Sequence, residues 1–158
     1  MGPAARDAAG KWQSLAAMSP DEPRIEVLSE SPERVAFAVE FAGQSLPLRV
    51  REVIKVRSDG VTVESSLTGE KIDGLRIYFP RLVFDGLERS VVELSANSAV
   101  LRLRDGGVRF KLLKPAGARL RGTGRELGHR NGVVEPLFAE VRGNRAVFSI
   151  SGARAADE

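Results

Sequence analysis

The sequence has no cysteine. Disulfides, thiolate zinc sites and a cysteine nucleophile are therefore excluded, and the chain suits an oxidising or a reducing compartment. Its single histidine, His129, cannot by itself build a histidine-rich metal site. One Trp and one Tyr are too few for the stacked aromatic platforms that hold single-stranded nucleic acid or neutral sugars, and the phenylalanines mostly fall at core positions. No apolar run approaches the ~18 residues of a membrane-spanning helix. The opening segment MGPAARDAAGKWQSLAAMSPDEP is interrupted by Asp7 and Lys11 and lacks the apolar centre of a signal peptide. Nothing in the composition asks for a cofactor.

Lysine is also scarce, occurring at Lys11, Lys55, Lys71, Lys111 and Lys114. The 24 basic residues are mainly arginine, whose planar fork suits carboxylates and phosphates, although a GC-rich genome produces the same bias. The net charge of +3 is small, and 158 residues suffice for one domain with a proper core.

What the chain does have is alternation. From Arg24 onward apolar residues recur with period two, the signature of strands. Val35, Phe37, Val39 and Phe41 share one face. A register that sets apolar against apolar pairs Phe41 with Leu46, Val39 with Leu48 and Phe37 with Val50 across the turn AGQS. The next hairpin pairs Val56 with Val61, Ile54 with Val63 and Val50 with Leu67. Farther on, Leu94 meets Ala99 and Val92 meets Leu101. A turn at Asp105-Gly106 pairs Leu103 with Val108 and Leu101 with Phe110. The last hairpin pairs Val141 with Ala146, Ala139 with Phe148 and Leu137 with Ile150. Pro80 interrupts the strand IDGLRIYFPRLVFDG and marks an edge or a bulge, because proline cannot donate to a ladder.

These features predict an all-β chain, an antiparallel β-sandwich of about ten strands, with a barrel as the alternative. Residues 1–23 form an N-terminal segment, and alanine-rich residues 3–18 form a short helix or an irregular stretch. Residues 24–152 are the sandwich and 153–158 a tail.

The stretch RGTGRELGHRNG, residues 121–132, holds the only histidine. Its spacing G-x-G-x-x-x-G misses the dinucleotide fingerprint, and the strand-like sequence with Pro136 that follows opposes the required helix. The glycines read as turns in a surface loop. His129 is a candidate proton carrier, with Arg125, Glu126, Arg130, Asn131 and Glu135 nearby in sequence, although Asn131 reads as a turn residue. Asp85, Glu88, Glu126 and Glu135 each read as surface charges, and no Ser/His/Asp triad can be assembled.

The registers place Arg102 opposite Arg109 on the face away from the apolar set, with Arg104 and Lys111 beside them. Like charges in that position repel. Glu93 offsets them by diagonal contact, or else the face meets an anion such as a uronate, sulfate, phosphate or acidic partner surface. A second basic row is Arg49, Arg51, Lys55 and Arg57, with Glu64 across from Val53. A solvated face with internal ion pairs accounts for the same rows.

The runs REVIKVRSDGVTVESSLTG, LRIYFPRLVFDG, AVLRLRDGGVRFKLL and HRNGVVEPLFAEV, spanning roughly residues 46–151, resemble the C-terminal β-sandwich of heparinase II/III-like polysaccharide lyases. The matching residues are Asp59, Gly60, Val61 and Val63, then Arg76, Phe79 and Pro80, then Gly106, Gly107 and Phe110. The family's catalytic tyrosine lies in a large helical domain that this sequence lacks. Tyr78 and Arg81 stand where a histidine is frequent, and Arg109 stands for a usual tryptophan.

The resemblance implies a non-catalytic accessory module that packs on a catalytic domain or binds acidic polysaccharide through its arginine-rich face. It implies an extracellular or periplasmic setting. Arg102, Arg104, Arg109, Lys111, Arg49 and Arg51 are the anion- or glycan-binding candidates. One alternative is a small lyase or hydrolase on acidic polysaccharide, with Tyr78 and His129 as its catalytic residues and an arginine neutralising the uronate. Another is a structural or adhesion sandwich that binds no glycan. Composition argues against nucleic acid.

Overall fold

The computed structural model describes residues 3–15, 22–42, 48–69, 72–104, 106–130 and 132–153. Among them lie fourteen strands and no helix. In chain order these are β1 (Ala4–Asp7), β2 (Trp12–Ser14), β3 (Arg24–Ser31), β4 (Arg34–Ala42), β5 (Leu48–Arg57), β6 (Gly60–Gly69) and β7 (Ile72–Phe84). They continue as β8 (Val91–Leu94), β9 (Ser98–Leu103), β10 (Gly106–Lys114), β11 (Leu120–Gly122), β12 (Leu127–His129), β13 (Gly132–Arg142) and β14 (Arg145–Gly152).

Two antiparallel sheets face each other. The eight-stranded sheet runs β3-β4-β5-β6-β14-β10-β9-β8, and the six-stranded sheet runs β11-β13-β7-β1-β2 with β12 also on β13. Alternation along β7 turns Leu75, Ile77, Phe79 and Val83 inward, where each is at most 3% exposed. Phe110, Leu112, Ala146, Phe148 and Leu67 of the other sheet share one core cluster with Leu75, Ile77 and Phe79. This is the expected β-sandwich.

Several expected registers hold. Val56 pairs with Val61, Ile54 with Val63 and Val50 with Leu67. Leu94 pairs with Ala99 and Val92 with Leu101. Others differ for identifiable reasons. Phe41 faces Val50, not Leu46, and Phe37 faces Ile54. The expected register would have put Pro47 into the ladder opposite Glu40; the strand instead begins at Leu48. The shift is even, so the same residues still share a face.

The β9–β10 hairpin is also displaced: Leu103 faces Gly106, Leu101 faces Val108, and Phe110 faces Ala99. Gly107 therefore sits within the ladder, where a Cβ would lie 2.9 Å from the carbonyl oxygen of Ala153. Its carbonyl accepts a hydrogen bond from the Ala153 N–H at 3.0 Å. Close approach of that backbone, rather than turn conformation, is what the glycine serves. Asp105 lies outside the described residues. Ala153 is itself buried, so it belongs to the sandwich rather than the tail.

The expected last hairpin does not form. β13 pairs with β7, whereas β14 pairs with β6 and β10 in the other sheet. Between them Gly143, at φ +91, donates its N–H to the Asp73 carbonyl. Asn144 exchanges hydrogen bonds with the Leu67 backbone. The corner is thus pinned to both sheets and carries the chain across the core.

Of the short helix or irregular stretch expected for residues 3–18, residues 3–15 show neither but two short strands. β1 and β2 form a hairpin on the edge of β7. Asp7 holds the turn: Oδ1 accepts the Ala9 and Lys11 N–H groups, and Oδ2 accepts from the Gln13 amide. Those bonds, that with Gln13 first, lower the Asp7 pKa. Ala4 and Ala5 are both buried, which small side chains permit on the two faces of one strand. Helix propensity yields to this packing. Residues 16–18 lie outside the described part.

β7 runs unbroken through Pro80, which faces Pro136. The Pro136 carbonyl accepts from Thr123 on the far side, so neither proline occupies a donor position of the β7–β13 ladder. Pairing with β1 ends at Arg76, so β7 beyond that point is a local edge among the described residues. The expected edge at Pro80 is met without a break.

Candidate functional site

The basic candidates lie on the outer face of the eight-stranded sheet, except Arg104, which turns away at φ +54. Arg104 bonds Asp85 at 2.9 Å and approaches Glu88 at 3.9 Å. Arg102 does not oppose Arg109. Its cross-strand neighbours are Gly107 and Val91, and Arg109 faces Val100 and Ser151. The displaced hairpin thus replaces direct opposition of the two arginines by a diagonal relation. Arg102 bonds Glu93 at 3.2 Å, as expected of the diagonal partner. Arg51 bonds Glu40 at 2.8 Å and reaches Glu26 at 3.8 Å. Glu64 does face Val53, and its carboxylate is held by Arg145 at 2.9 Å.

Arg49, Lys55, Arg57 and Lys111 make no ion pair among the described residues. The ladders place Lys55, Thr62, Ser149 and Lys111 in one row across four strands. The neighbouring row is Arg34, Arg57, Gly60, Ser151 and Arg109. β5 and β10 are three strand spacings apart, about 14 Å. Two cationic rows thus flank hydroxyls on this face. Arg34 and Arg57 sit directly opposite each other, an arrangement composition alone did not reveal, because it depends on the β4–β5 register.

The two catalytic candidates are far apart. Tyr78 faces Phe138 on β13, and His129 faces Gly132 at the other end of that strand. Six residues of strand separate them by about 20 Å. The Tyr78 hydroxyl accepts from Arg76 Nη1 at 3.1 Å. His129 is exposed. They share no site.

The glycine-rich stretch serves a buried carboxylate instead. Glu135 is 8% exposed and projects between the sheets, contrary to its expected surface role. Its Oε2 accepts from Arg81 Nη1 at 2.6 Å, and Oε1 accepts the Gly124 N–H at 2.9 Å. A Cβ on Gly122 would lie 2.6 Å from Oε1. Gly122 makes room for the carboxylate and Gly124, at φ +68, turns its N–H toward it.

A second surface was missed by sequence reasoning. On the outer face of the six-stranded sheet, the Arg76 guanidinium lies 4.2 Å from the Trp12 ring centroid and 5.0 Å from that of Phe138. It also pairs with Glu140. Burial opposes the Arg76 charge, but the Tyr78 hydroxyl and Glu140 carboxylate outweigh it and raise its pKa above the usual arginine value. Beside this cluster a groove of about 210 Å³ is lined by Gly117, Ala118, Arg119, Arg121, Phe138 and Glu140. The residues come from distant parts of the chain, and only Arg76 near Tyr78 was visible as a local cue.

Among the described residues no cluster of His, Asp or Glu could hold a metal ion, and no helix is long and apolar enough to cross a membrane.

No protein-family model and no curated protein sequence matches the chain. Solved structures do match its fold. Heparan sulfate lyase HepC from Pedobacter heparinus superposes with TM-score 0.67 at 12% identity, over 87% of this chain and 22% of the lyase. The heparinase III BT4657 gene product gives 0.65 at 9% identity, over 85% of this chain and 22% of that one. Another heparinase III structure gives 0.61 at 9% identity, over 82% and 21%. The chain spans about a fifth of the length of these lyases, and at such identities the likeness is one of fold. What the chain shares with them is the antiparallel β-sandwich.

Proposed function

We propose that the chain is a non-catalytic module of a polysaccharide lyase-like protein, and that it packs on a catalytic domain. One observation carries the reading: the inner face of the eight-stranded sheet outruns its cover. Along the row Val27, Phe37, Ile54, Val63, only Val63 is buried in the core cluster and Ile54 packs against it. At the sheet edge Ile25 and Val27 are each 65% exposed, and Val35 and Val56 extend the same open flank. An apolar face continuous with the core, left open at one end, is the surface of a domain made to sit against another. The fold likeness to a fifth of the lyases' length supports the same placement, and the separation of Tyr78 from His129 disfavours chemistry within this chain.

The test is association. The reading expects a longer parent polypeptide with a helical catalytic portion. Expressed separately, that portion should bind the sandwich, and Ile25→Lys with Val27→Lys should abolish binding while leaving thermal unfolding of the sandwich unchanged. Unsaturated uronate product released by the isolated chain, or binding indifferent to the two lysines, would sink the proposal.

A second reading has its own support. The rows Lys55–Lys111 and Arg34–Arg57–Arg109 offer an acidic glycan a cationic face with hydroxyls between. Here Arg49 and Lys111 remain candidates, whereas Arg51, Arg102 and Arg104 are engaged by carboxylates. Heparin titration at two salt concentrations should show an affinity that falls steeply with salt and weakens in Arg57→Gln/Lys55→Gln; indifference to both would remove this reading.

A further inference from the structure

We infer that the groove on the outer face of the six-stranded sheet, between β11 and β13, binds one anionic sugar residue. Its floor is the ring of Phe138, which is cross-strand neighbour to Arg121. Its rim carries Arg119 and Arg121, both exposed and without an ion pair among the described residues. Its far wall is Glu140, fixed by Arg76, which the Trp12 and Phe138 rings hold in turn.

These parts differ in chemistry and fit one kind of ligand. An aromatic floor takes the apolar face of a pyranose ring. Two guanidinium groups on one side take a carboxylate or sulfate by charge-assisted hydrogen bonds. The carboxylate opposite accepts from ring hydroxyls, and its ion pair with Arg76 holds it in place. A volume of about 210 Å³ suits one ring rather than a chain. A phosphorylated or acidic peptide would gain from the arginines but lacks the ring hydroxyls that Glu140 is placed to accept from. Preference for sugar also rests on the lyase-associated reading above, but the groove and the docking flank lie on different sheets, so each can fail alone.

The experiment is titration of the full chain with a heparin-derived tetrasaccharide, followed by amide chemical shifts. Cellotetraose and a phosphotyrosine peptide serve as comparisons. Shifts are expected to centre on residues 117–121 and 138–140. Arg119→Gln/Arg121→Gln should weaken binding at least about tenfold, as two lost charge-assisted bonds imply. Phe138→Leu should weaken it less. Read only at the groove, the shifts of residues 117–121 and 138–140 should titrate unchanged in Lys55→Gln/Lys111→Gln, whatever that separate face on the other sheet binds, and in Val27→Lys on the docking flank. Three outcomes overturn the inference: no binding, loss in Lys55→Gln/Lys111→Gln but not in Arg119→Gln/Arg121→Gln, or tighter binding of the phosphopeptide.

Discussion

The ring of Phe79 meets that of Phe148 edge to face, with centroids 5.0 Å apart and planes at 86°. Phe79 belongs to β7 in the six-stranded sheet and Phe148 to β14 in the eight-stranded one, so this contact joins the layers. Phe110 closes a trio, its centroid 5.1 Å from that of Phe79. Phe79 is 2% exposed, so truncating its ring leaves a cavity between the sheets. Phe79→Ala should cost about 3–5 kcal/mol and Phe79→Leu distinctly less, measured by urea unfolding. A loss under 1 kcal/mol for the alanine variant would mean that the two sheets do not rely on this trio.

The glycines of residues 121–132 should separate by position. Gly132 has φ +126, and a Cβ there would collide with the Phe84 carbonyl oxygen, which is backbone and cannot move aside. Gly132→Ala should therefore cost about 3 kcal/mol or more. Gly128 has nothing near its Cβ position, so Gly128→Ala should stay within about 0.5 kcal/mol of the parent. Thermal unfolding of the two variants compares them directly; equal effects would contradict the placement of β13 against the end of β7.

Removal of the Glu135 carboxylate should be costly because it strands two groups. Glu135→Leu leaves the Arg81 guanidinium, 19% exposed, without its anion and the Gly124 N–H without its acceptor. A loss of about 3 kcal/mol is expected at neutral pH. Arg81→Met/Glu135→Leu should recover part of it, since no buried charge is then left alone. A double-mutant cycle in urea with no coupling between the positions would refute the pair's burial.

Asp85 links stability to pH. Its carboxylate accepts the Glu88 and Leu87 backbone N–H groups, and Arg104 lies beside it; together these lower its pKa from 3.8. A depressed carboxylate stabilises the fold above its unfolded pKa, and that contribution fades as pH falls through the lower folded value. Asp85→Asn should therefore be less stable than the parent at pH 7, and the difference should narrow below about pH 4. Urea midpoints across that range test it; a difference that widens toward low pH would have the wrong sign.

Much of the sandwich was legible from period-two alternation. Val50, Val63, Leu67, Leu101, Phe110 and Phe148 all turn inward as that pattern requires. The hairpin that pairs Val56 with Val61 also kept its register, whereas the one turning at Asp105-Gly106 shifted by two residues. What failed was the choice of neighbour. Val141 and Ala146 are buried whether their strands pair with each other or lie in different sheets, so alternation could not tell these apart. The helix expected at the N-terminus failed for a related reason: alanine is small enough to be buried on both faces of a strand, and its propensity carried no information about β7 alongside. In the candidate sites, Glu93 beside Arg102 was foreseeable from local spacing. The clamp on Glu135 and the groove at Phe138 were not, because each is assembled across sheet neighbours remote in the chain.

By itself the sequence determined which side chains face inward, because a strand turns successive residues to opposite sides and water drives the apolar set together. It also excluded thiol chemistry. Only the tertiary structure decided which strands adjoin, that the flank of β3 to β5 stays uncovered, and that Arg119 and Arg121 line a groove with Phe138. The reason is physical: alternation is local and the same for every partner, whereas pairing is selected by corners such as Gly143-Asn144 and by backbone contacts such as Gly107 with Ala153, which exist only once distant segments meet.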